Sequence, residues 1–257
     1  VAIIPFAGAG GWMVNSSVST MNSNVQDISE NSSVPRTTTV TDRNGKPIAW
    51  LYDQRRFKVP SDKISQDMKD SIVGIEDRRF YQHKGVDVRG TFRAIMANLS
   101  SGGVSEGAST LDQQYVKNYL YLISADNDQE RKAAVETSAA RKLREMKMAG
   151  ELDRKFSKDE ILTRYLNLIA FGHGAYGIES AARTYFGTHA SDLNESQSAL
   201  LAGMVQSTST LDPWLNPDGA MQRRNQVLQS RVTAGSLTQA QADAAKQEPL
   251  GIRDTPG

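Results

Sequence analysis

The 257-residue sequence contains no cysteine, and its three histidines lie far apart. Without cysteine the chain can form neither a disulfide nor a thiolate metal site, and scattered histidines lack the spacing of a structural zinc site. The lack of thiols weakly favours a protein that works outside the cytoplasm. These absences predict neither a thiolate metal site nor a structural zinc site.

A large excess of one charge is also absent, because 30 lysines and arginines oppose 29 aspartates and glutamates. Domains that bind nucleic acid usually carry a strongly basic surface, so this nearly neutral balance predicts no nucleic-acid partner. Hydrophobic residues make up 39% of the chain, which is enough for a real core in one large domain or two small ones.

The uncharged segment at the start of the sequence is too short to span a membrane. Residues 1–14, VAIIPFAGAGGWMV, are uncharged but fewer than the roughly 20 residues that a spanning helix needs. We interpret them as the end of a longer membrane anchor; a signal-peptide remnant and a buried core segment are the alternatives. Residues 15–35 are rich in serine, asparagine and threonine without helical periodicity, which predicts a linker.

The chain after this linker predicts a mainly α-helical domain over residues 36–250. Two β-prone runs flank Asn44 and Gly45, which predicts a hairpin at the start of the domain. Residues that start helices then recur along the chain, at Ser61, Ser157, Asn194 and Thr238. No alternation of strands with helices appears, so a parallel α/β sheet is not expected.

The stretch FGHGAYG, residues 171–177, matches the G-x-G-x-x-G pattern of dinucleotide-binding loops. That pattern binds a pyrophosphate only where it ends a strand and opens a helix. Here the preceding segment begins with Ser157 and Glu160 at capping-box spacing and has helical periodicity. We therefore interpret the glycines as a sharp turn after a helix.

The first candidate for chemistry is the stretch IEDRRFYQHKG. Glu76 follows the apolar face of a predicted helix by one position, so its carboxylate is placed at the edge of the core. If that helix continues as far as Gly85, Glu76, Phe80 and His83 share one face. The alternative is a solvated, charged helix end.

The second candidate, GGVSEGASTLDQQYVKN, begins as a glycine- and serine-rich loop and continues as a helix. Ser109 and Thr110 resemble a helix cap, and Gln113, Gln114 and Lys117 follow within two turns. Hydroxyls, amides and a cation at a helix start suit sugar hydroxyls and phosphate oxygens. Ordinary capping would use the same residues.

The third candidate is basic, with nine lysines and arginines against four acidic residues between Arg131 and Lys158. Arg141 precedes Glu145 by four residues, which places both on one helix face, and Lys142 is adjacent. A carboxylate among such cations stays ionised, and the remaining cations can bind an oligophosphate. A solvated helix face is the alternative.

Five segments, in this order, resemble the motifs of one family: EDRRFYQHKG, GASTLDQQYVKN, RKLRE, KDEILTRYLN and RRNQVL. The family is that of the peptidoglycan glycosyltransferases (glycosyltransferase family 51). They form the lysozyme-like polymerising domain of bifunctional class A penicillin-binding proteins and of monofunctional transglycosylases. The resemblance covers about residues 60 to 250. It implies a mainly α, lysozyme-like fold with a small N-terminal β-hairpin and a membrane-associated helical subdomain.

The resemblance implies that lipid II is polymerised into β-1,4-linked glycan with inversion and release of undecaprenyl pyrophosphate. Glu76 would be the base that accepts the proton of the acceptor hydroxyl, and Glu145 the second essential carboxylate. Lys117, Arg141 and Lys142 match the positions that hold the pyrophosphate. The other substrate-binding residues that the motifs imply are Asp77, Phe80, His83, Ser109, Thr110, Gln113, Gln114 and Asn118.

No tightly bound cofactor is implied, although a Mg²⁺ or Mn²⁺ ion could accompany the substrate pyrophosphate. The implied partners are lipid II, the growing glycan, the membrane lipid surface, other cell-wall synthesis proteins and moenomycin-type inhibitors. The implied location is the outer face of the bacterial cytoplasmic membrane, with a single anchor. Candidates for a membrane-facing groove, with buried core as the alternative, are Phe92, Ile95, Met96 and Leu99.

Three features depart from the family pattern. Asp112 stands where the family usually has threonine, so we expect extra negative charge beside the phosphate site. The polar segment SADNDQERKAAVETS, residues 124–138, lengthens the link between the second and third motifs and predicts a solvated loop or helix end. The S-x-x-K nucleophile of a transpeptidase does not occur, and we interpret residues 251–257 as the start of a linker to a further domain.

Two other functions stay open at this point. A lysozyme-like glycan hydrolase would also use two carboxylates in a helical fold, but it has no pyrophosphate for the basic residues to hold. An inactive glycan-binding scaffold would keep the fold without the chemistry, and Asp112 is the strongest sign in its favour.

Overall fold

The computed structural model describes residues 38–51, 55–87, 109–125, 127–136 and 138–257. The predicted anchor (1–14), the predicted linker (15–35) and the candidates for a membrane-facing groove, Phe92, Ile95, Met96 and Leu99, lie outside these residues. No helix within the described ranges has both the length and the apolar character needed to cross a membrane.

The described part of the chain is mainly α-helical, which confirms the predicted fold class. Its helices are α1 (Gln66–Glu76), α2 (Leu111–Tyr119), α3 (Asp128–Val135), α4 (Ala139–Lys155), α5 (Lys158–Leu168), α6 (Ile178–Phe186), α7 (Glu195–Met204), α8 (Pro217–Ala234) and α9 (Gln239–Gln247). Its strands are β1 (Thr38–Thr41), β2 (Pro47–Leu51), β3 (Arg55–Arg56) and β4 (Ala175–Tyr176). Short 3-10 turns cover Ser61–Lys63 and Ala190–Asp192.

The predicted hairpin is present, since β1 and β2 pair in antiparallel fashion. The Asp42 carboxylate accepts hydrogen bonds from the backbone amides of Asn44 at 2.8 Å and Lys46 at 2.9 Å. Gly45 adopts a positive φ of 81°, which a glycine tolerates without strain. Local turn chemistry therefore accounts for this element.

Helix starts follow the capping residues at most of the expected places. Ser157, Asn194 and Thr238 each form a complete capping box with the Glu or Gln three residues later. The expectation for Ser61 was wrong, because a 3-10 turn begins there and α1 starts later, capped by Ser65. The Ser65 hydroxyl accepts the Met68 amide at 3.1 Å.

The core is formed by two groups of helices that share buried side chains. In one group α7 packs against α1 and α8, and α9 packs against α8. In the other, α2 lies between α4 and α5. Because α1 belongs to the first group and α2 to the second, the end of α1 meets the side of α2 where the two groups join.

The polar insertion is more ordered than the predicted loop or helix end. Asp128–Val135 form helix α3, whose start is capped by the Asn127 side chain accepting the Glu130 amide at 3.0 Å. Before it, Leu120–Ser124 continue α2 as a π-helical turn. The insertion thus adds an exposed helix between the second and third motifs.

The glycines of FGHGAYG form a turn after helix α5, as predicted, and no strand precedes them. Gly172, Gly174 and Gly177 all have positive φ, and Gly177 is the N-cap of α6. A Cβ on Gly177 would lie 2.7 Å from the backbone oxygen of Asn167. The dinucleotide interpretation is thereby excluded, because the glycines serve a helix-to-helix connection.

Replacing Gly177 with alanine should lower the free energy of unfolding by roughly 2–4 kcal/mol, because both φ and the Asn167 carbonyl oppose a side chain there. The measurement is urea unfolding of the purified chain. Gly150→Ala is the matched control, since a Cβ on this α4 residue would meet no atom within 4 Å. That control should gain up to about 1 kcal/mol, because alanine is the better helix former. Equal stability of Gly177→Ala and the parent would contradict the prediction.

Residues 251–257, interpreted above as a linker, lie against α6. The Arg253 amide donates to the Tyr185 carbonyl at 2.8 Å, and the indole of Trp214 donates to the Arg253 carbonyl at 2.8 Å. The Gly257 amide reaches the Thr184 carbonyl at 3.2 Å. The domain bounds themselves stay a prediction.

Candidate active site

Glu76 is the last residue of α1 and is partly exposed. Its Oε2 accepts a hydrogen bond from the side-chain amide of Gln114 at 2.9 Å. The first and second motifs are therefore joined through these two side chains. A partly exposed carboxylate held by one donor can both meet a ligand and accept its proton.

The helix that carries Glu76 does not continue to Gly85, so the expected shared face of Glu76, Phe80 and His83 is wrong. Asp77 is the C-cap of α1, and its extended φ of −157° ends the helix. The following turn buries Phe80 completely and brings His83 Nε2 to 2.8 Å from Asp77 Oδ2. This turn forms in place of a further turn of helix because the Asp77 carboxylate contacts His83 within it. The same carboxylate also accepts a hydrogen bond from the Leu111 amide at 3.1 Å.

The start of α2 is capped as its sequence predicts. The Thr110 hydroxyl accepts the Gln113 amide at 3.2 Å and donates to the Gly85 carbonyl at 2.7 Å. Thr110 and Gln113 are buried, as are Asp77 and Phe80. The structure places these four predicted substrate-binding residues beneath the exposed groups, where they support the site. Their direct contact with a substrate stays a prediction.

The basic cluster at the start of α4 surrounds one buried carboxylate. Glu145, 2% exposed, accepts a hydrogen bond from Arg141 Nη1 and lies 3.6 Å from Lys142 Nζ. Lys142 also donates to the hydroxyl of Ser109. Burial lowers the pKa of Lys142, Glu145 opposes this effect, and the nearby cations Arg141 and Lys117 lower the pKa further. The cations are therefore close enough to act on one ligand.

Helix α2 connects the two parts of the candidate site. Gln114, which contacts Glu76, and Lys117, which lies near Lys142, are three residues apart and thus neighbours on one helix face. No hydrogen bond or ion pair joins the Lys117 ammonium to another residue within the described ranges. Asn118 is partly exposed and donates its side-chain amide to the Gln114 carbonyl at 2.8 Å. One turn of α2 therefore carries both a residue that contacts the carboxylate and a residue that lies near the cations.

Asp112 does not add charge beside these cations, so that expectation was wrong. It is completely buried, and both its oxygens lie 3.3 Å from Lys158 Nζ. Lys158 also pairs with Asp153 at 2.6 Å and lies over the ring of Phe80. Helical periodicity explains the error, because position 112 points away from the face that holds Gln114 and Lys117.

Asp77, His83 and Asp112 offer ligand atoms that lie within 4.8 Å of one another, which is compatible with a metal site. The carboxylates already accept hydrogen bonds from His83, the Leu111 amide and Lys158. The two carboxylates are thus satisfied by internal hydrogen bonds, whereas the buried Nδ1 of His83 has no hydrogen-bond partner among the described residues. The ammonium of Lys158 would repel a cation at the carboxylate oxygens.

Burial raises the pKa of Asp112 to about 6, against the opposing effects of Lys158 and His83, and Asp153 adds to the increase. Its pKa in the folded state is therefore above the ordinary value of 3.8. The folded state binds the proton more tightly, so this group lowers the stability as pH rises from about 4 to 6, after which its effect is constant.

Asp112→Asn removes this titration. Relative to the variant, the parent chain should lose up to about 3 kcal/mol of unfolding free energy between pH 4 and 7. Urea unfolding at several pH values measures the difference, and Asp62→Asn, at an exposed position, is the control that should follow the parent. Parallel pH profiles for the parent and Asp112→Asn would show that Asp112 titrates normally.

Sequence reasoning missed three buried or paired residues that support the site: Lys158, Asp153 and Tyr165. Lys158 and Tyr165 lie in the fourth motif, KDEILTRYLN, so their presence in a family segment was the available signal. Their partners come from α2 and α4, and no local pattern predicts such contacts.

Comparison with known proteins identifies the family to which the chain belongs. The family described as Transglycosylase matches residues 44–232, so the chain belongs to the transglycosylase family and its enzyme class is glycosyl transfer. Among its relatives is Penicillin-binding protein 1A of Streptococcus oralis, 37% identical over 229 residues, which are 89% of this chain and 34% of the relative. Penicillin-binding protein 1A of Mycolicibacterium smegmatis is 39% identical over 212 residues, 82% of this chain and 26% of the relative.

Penicillin-binding protein 1A of Escherichia coli is 37% identical over 207 residues, 80% of this chain and 23% of the relative. The chain thus spans between 23% and 34% of the length of these three relatives. A crystal structure of Penicillin-Binding Protein 1A from Haemophilus influenzae aligns with 86% of this chain and 22% of its own, with 21% identity and a TM-score of 0.47.

Proposed function

We propose that this domain is a peptidoglycan glycosyltransferase of bacterial cell-wall synthesis. It would polymerise lipid II into β-1,4-linked glycan with inversion at the anomeric carbon and release undecaprenyl pyrophosphate. The observation that carries the proposal is the position of α2, which holds Gln114 against Glu76 and brings Lys117 near enough to Lys142 to lower its pKa. Transfer from a pyrophosphate-linked donor needs a base for the acceptor hydroxyl and cations for the leaving group.

Glu76 acts as the base in this proposal. Its carboxylate takes the proton of the acceptor's 4-hydroxyl as that oxygen forms a bond to the anomeric carbon of the donor. The bond from the anomeric carbon to the phosphate oxygen breaks, and its electron pair leaves with the pyrophosphate. Attack opposite the leaving group inverts the configuration, and Gln114 keeps the carboxylate in place.

The basic cluster stabilises the charge that develops on the leaving group. Lys117 has no described partner, and Arg141 and Lys142 are both partly exposed, so all three can donate to phosphate oxygens. Glu145 holds Arg141 and Lys142 from beneath and keeps them at this position. A hydrolase of neutral glycan would gain nothing from this cluster.

A Mg²⁺ or Mn²⁺ ion bound to the pyrophosphate is compatible with the proposal as part of the substrate. The Glu145 carboxylate already contacts Arg141 and Lys142, so the phosphate oxygens would supply most of the ligands of the metal ion. The expected setting is the outer face of the cytoplasmic membrane, where the lipid tails of the substrate remain in the bilayer. Other cell-wall synthesis proteins and moenomycin-type inhibitors stay proposed partners.

Incubation with lipid II in detergent separates the three functions considered. Polymer formation supports the transferase, shortening of preformed glycan supports the hydrolase, and binding without turnover supports the scaffold. A moenomycin-type phosphoglycolipid should block polymerisation by competing with lipid II. Failure to polymerise lipid II with the fold intact would overturn the proposed function.

A further inference from the structure

Tyr165 of helix α5 is a completely buried side chain next to the candidate base. Its hydroxyl donates a hydrogen bond to Gln114 Oε1 at 2.9 Å, and Gln114 Nε2 donates to Glu76 Oε2 at 2.9 Å. Three side chains from α5, α2 and α1 thus form one line of hydrogen bonds that ends at the carboxylate.

The two ends of the Gln114 side chain differ, because Oε1 only accepts hydrogen bonds and Nε2 only donates them. An ionised carboxylate only accepts, so Nε2 must face Glu76. Oε1 then faces Tyr165, which has to donate. Burial, with a further contribution from Glu76, raises the pKa of Tyr165 well above its ordinary value. The phenol therefore keeps the proton that this arrangement needs.

Without the Tyr165 hydroxyl, Gln114 Oε1 would lose its donor inside the protein, which is costly for a polar atom. The Gln114 amide would then be held at one end only, by its hydrogen bond to Glu76, and could move away from its present position. The hydrogen bond to the carboxylate would weaken, and the carboxylate would be held less firmly.

We propose that Tyr165 is a positioning residue for the base, acting through Gln114 to keep the Glu76 carboxylate hydrogen-bonded and aimed at the acceptor hydroxyl. The inference rests on the proposed function. It adds a role for a residue of the fourth motif that touches neither carboxylate nor substrate. The alternative is that Tyr165 only fills the core where α5 packs against α2.

Tyr165→Phe separates these two roles, because it removes the hydroxyl and keeps the ring. We expect kcat for polymerisation of lipid II to fall roughly 3- to 10-fold with KM unchanged, as for one lost hydrogen bond. The acidic limb of the pH–rate profile should move to higher pH, since the hydrogen bond that stabilises the ionised carboxylate becomes weaker. A tyrosine that only packs would not change that profile.

Tyr185→Phe is the matched control. The Tyr185 hydroxyl is also buried and donates to the Phe171 carbonyl at 2.6 Å, in another part of the fold. Both variants should lose similar unfolding free energy, which thermal unfolding measures. Only Tyr165→Phe should change kcat and the pH–rate profile.

A double-mutant cycle with Gln114→Ala tests the path of the effect. If Tyr165 acts through Gln114, adding Tyr165→Phe to Gln114→Ala should change kcat less than 2-fold. Independent, multiplying effects would overturn the proposed path, and an unchanged kcat and pH–rate profile in Tyr165→Phe would overturn the role. A parent chain that does not polymerise lipid II would refute the proposed function instead, so the two failures are distinguishable.

Discussion

Glu76→Gln should reduce polymerisation of lipid II by roughly 100- to 10,000-fold, which is the usual contribution of a general base. The substitution keeps the size of the side chain and removes its ability to accept a proton. A glutamine oxygen at this position can still accept the Gln114 amide, so the hydrogen bond that holds the side chain persists. The loss should therefore appear in kcat, because binding of lipid II does not depend on proton transfer.

The experiment measures initial rates of polymer formation together with direct binding of lipid II in detergent. Glu151→Gln is the control, because this partly exposed residue of α4 forms its one ion pair among the described residues with Arg154, and such surface pairs contribute little to stability. It should behave like the parent chain. Near-normal turnover by Glu76→Gln would remove the base from the mechanism, and loss of lipid II binding would indicate a structural role instead.

Lys117→Ala should lower kcat/KM by roughly 100-fold, through both a higher KM and a lower kcat. The ammonium of Lys117 is partly exposed and has no described partner, so its charge is available to the pyrophosphate. The contribution grows as the bond to phosphate breaks, because negative charge accumulates on the departing oxygen. An interaction present before and during bond breaking affects binding and rate together.

Lys147→Ala is the control for net charge, since Lys147 is an exposed residue of the helix that carries Arg141 and Lys142. Removing it changes the overall charge equally but leaves the cluster intact. Steady-state kinetics at two salt concentrations should show a weaker salt dependence for Lys117→Ala than for this control. If both variants have the same kinetics, the pyrophosphate is held elsewhere.

The local elements of the fold could be predicted because their causes are local. The hairpin follows from the turn residues around Gly45, and the starts of α5, α7 and α9 follow from Ser157, Asn194 and Thr238. The glycine turn before α6 could be distinguished from a nucleotide loop because a helical pattern precedes it. The site residues themselves were named from the order of motifs, and their catalytic roles remain to be tested.

The errors have a common origin in contacts between distant residues. The conditional extension of α1 to Gly85 is wrong, since Asp77 ends the helix and its carboxylate accepts a hydrogen bond from the amide of Leu111, 34 residues away. Helical periodicity already places Asp112 away from Gln114 and Lys117, but its burial against Lys158, 46 residues away, could not be identified from spacing. Tyr165 was overlooked because its polar partner lies on another helix.

Residue order alone was sufficient for the helical class, the caps, the turns and the family resemblance, since these depend on neighbours within a few positions. The arrangement of Tyr165, Gln114 and Glu76, and the burial of Asp112 against Lys158, required the packed chain. Side-chain hydrogen bonds between helices depend on how the helices cross, and burial sets the electrostatics of the groups between them. Packing of the whole core therefore determines both the hydrogen bonds between the helices and the burial of their charged groups.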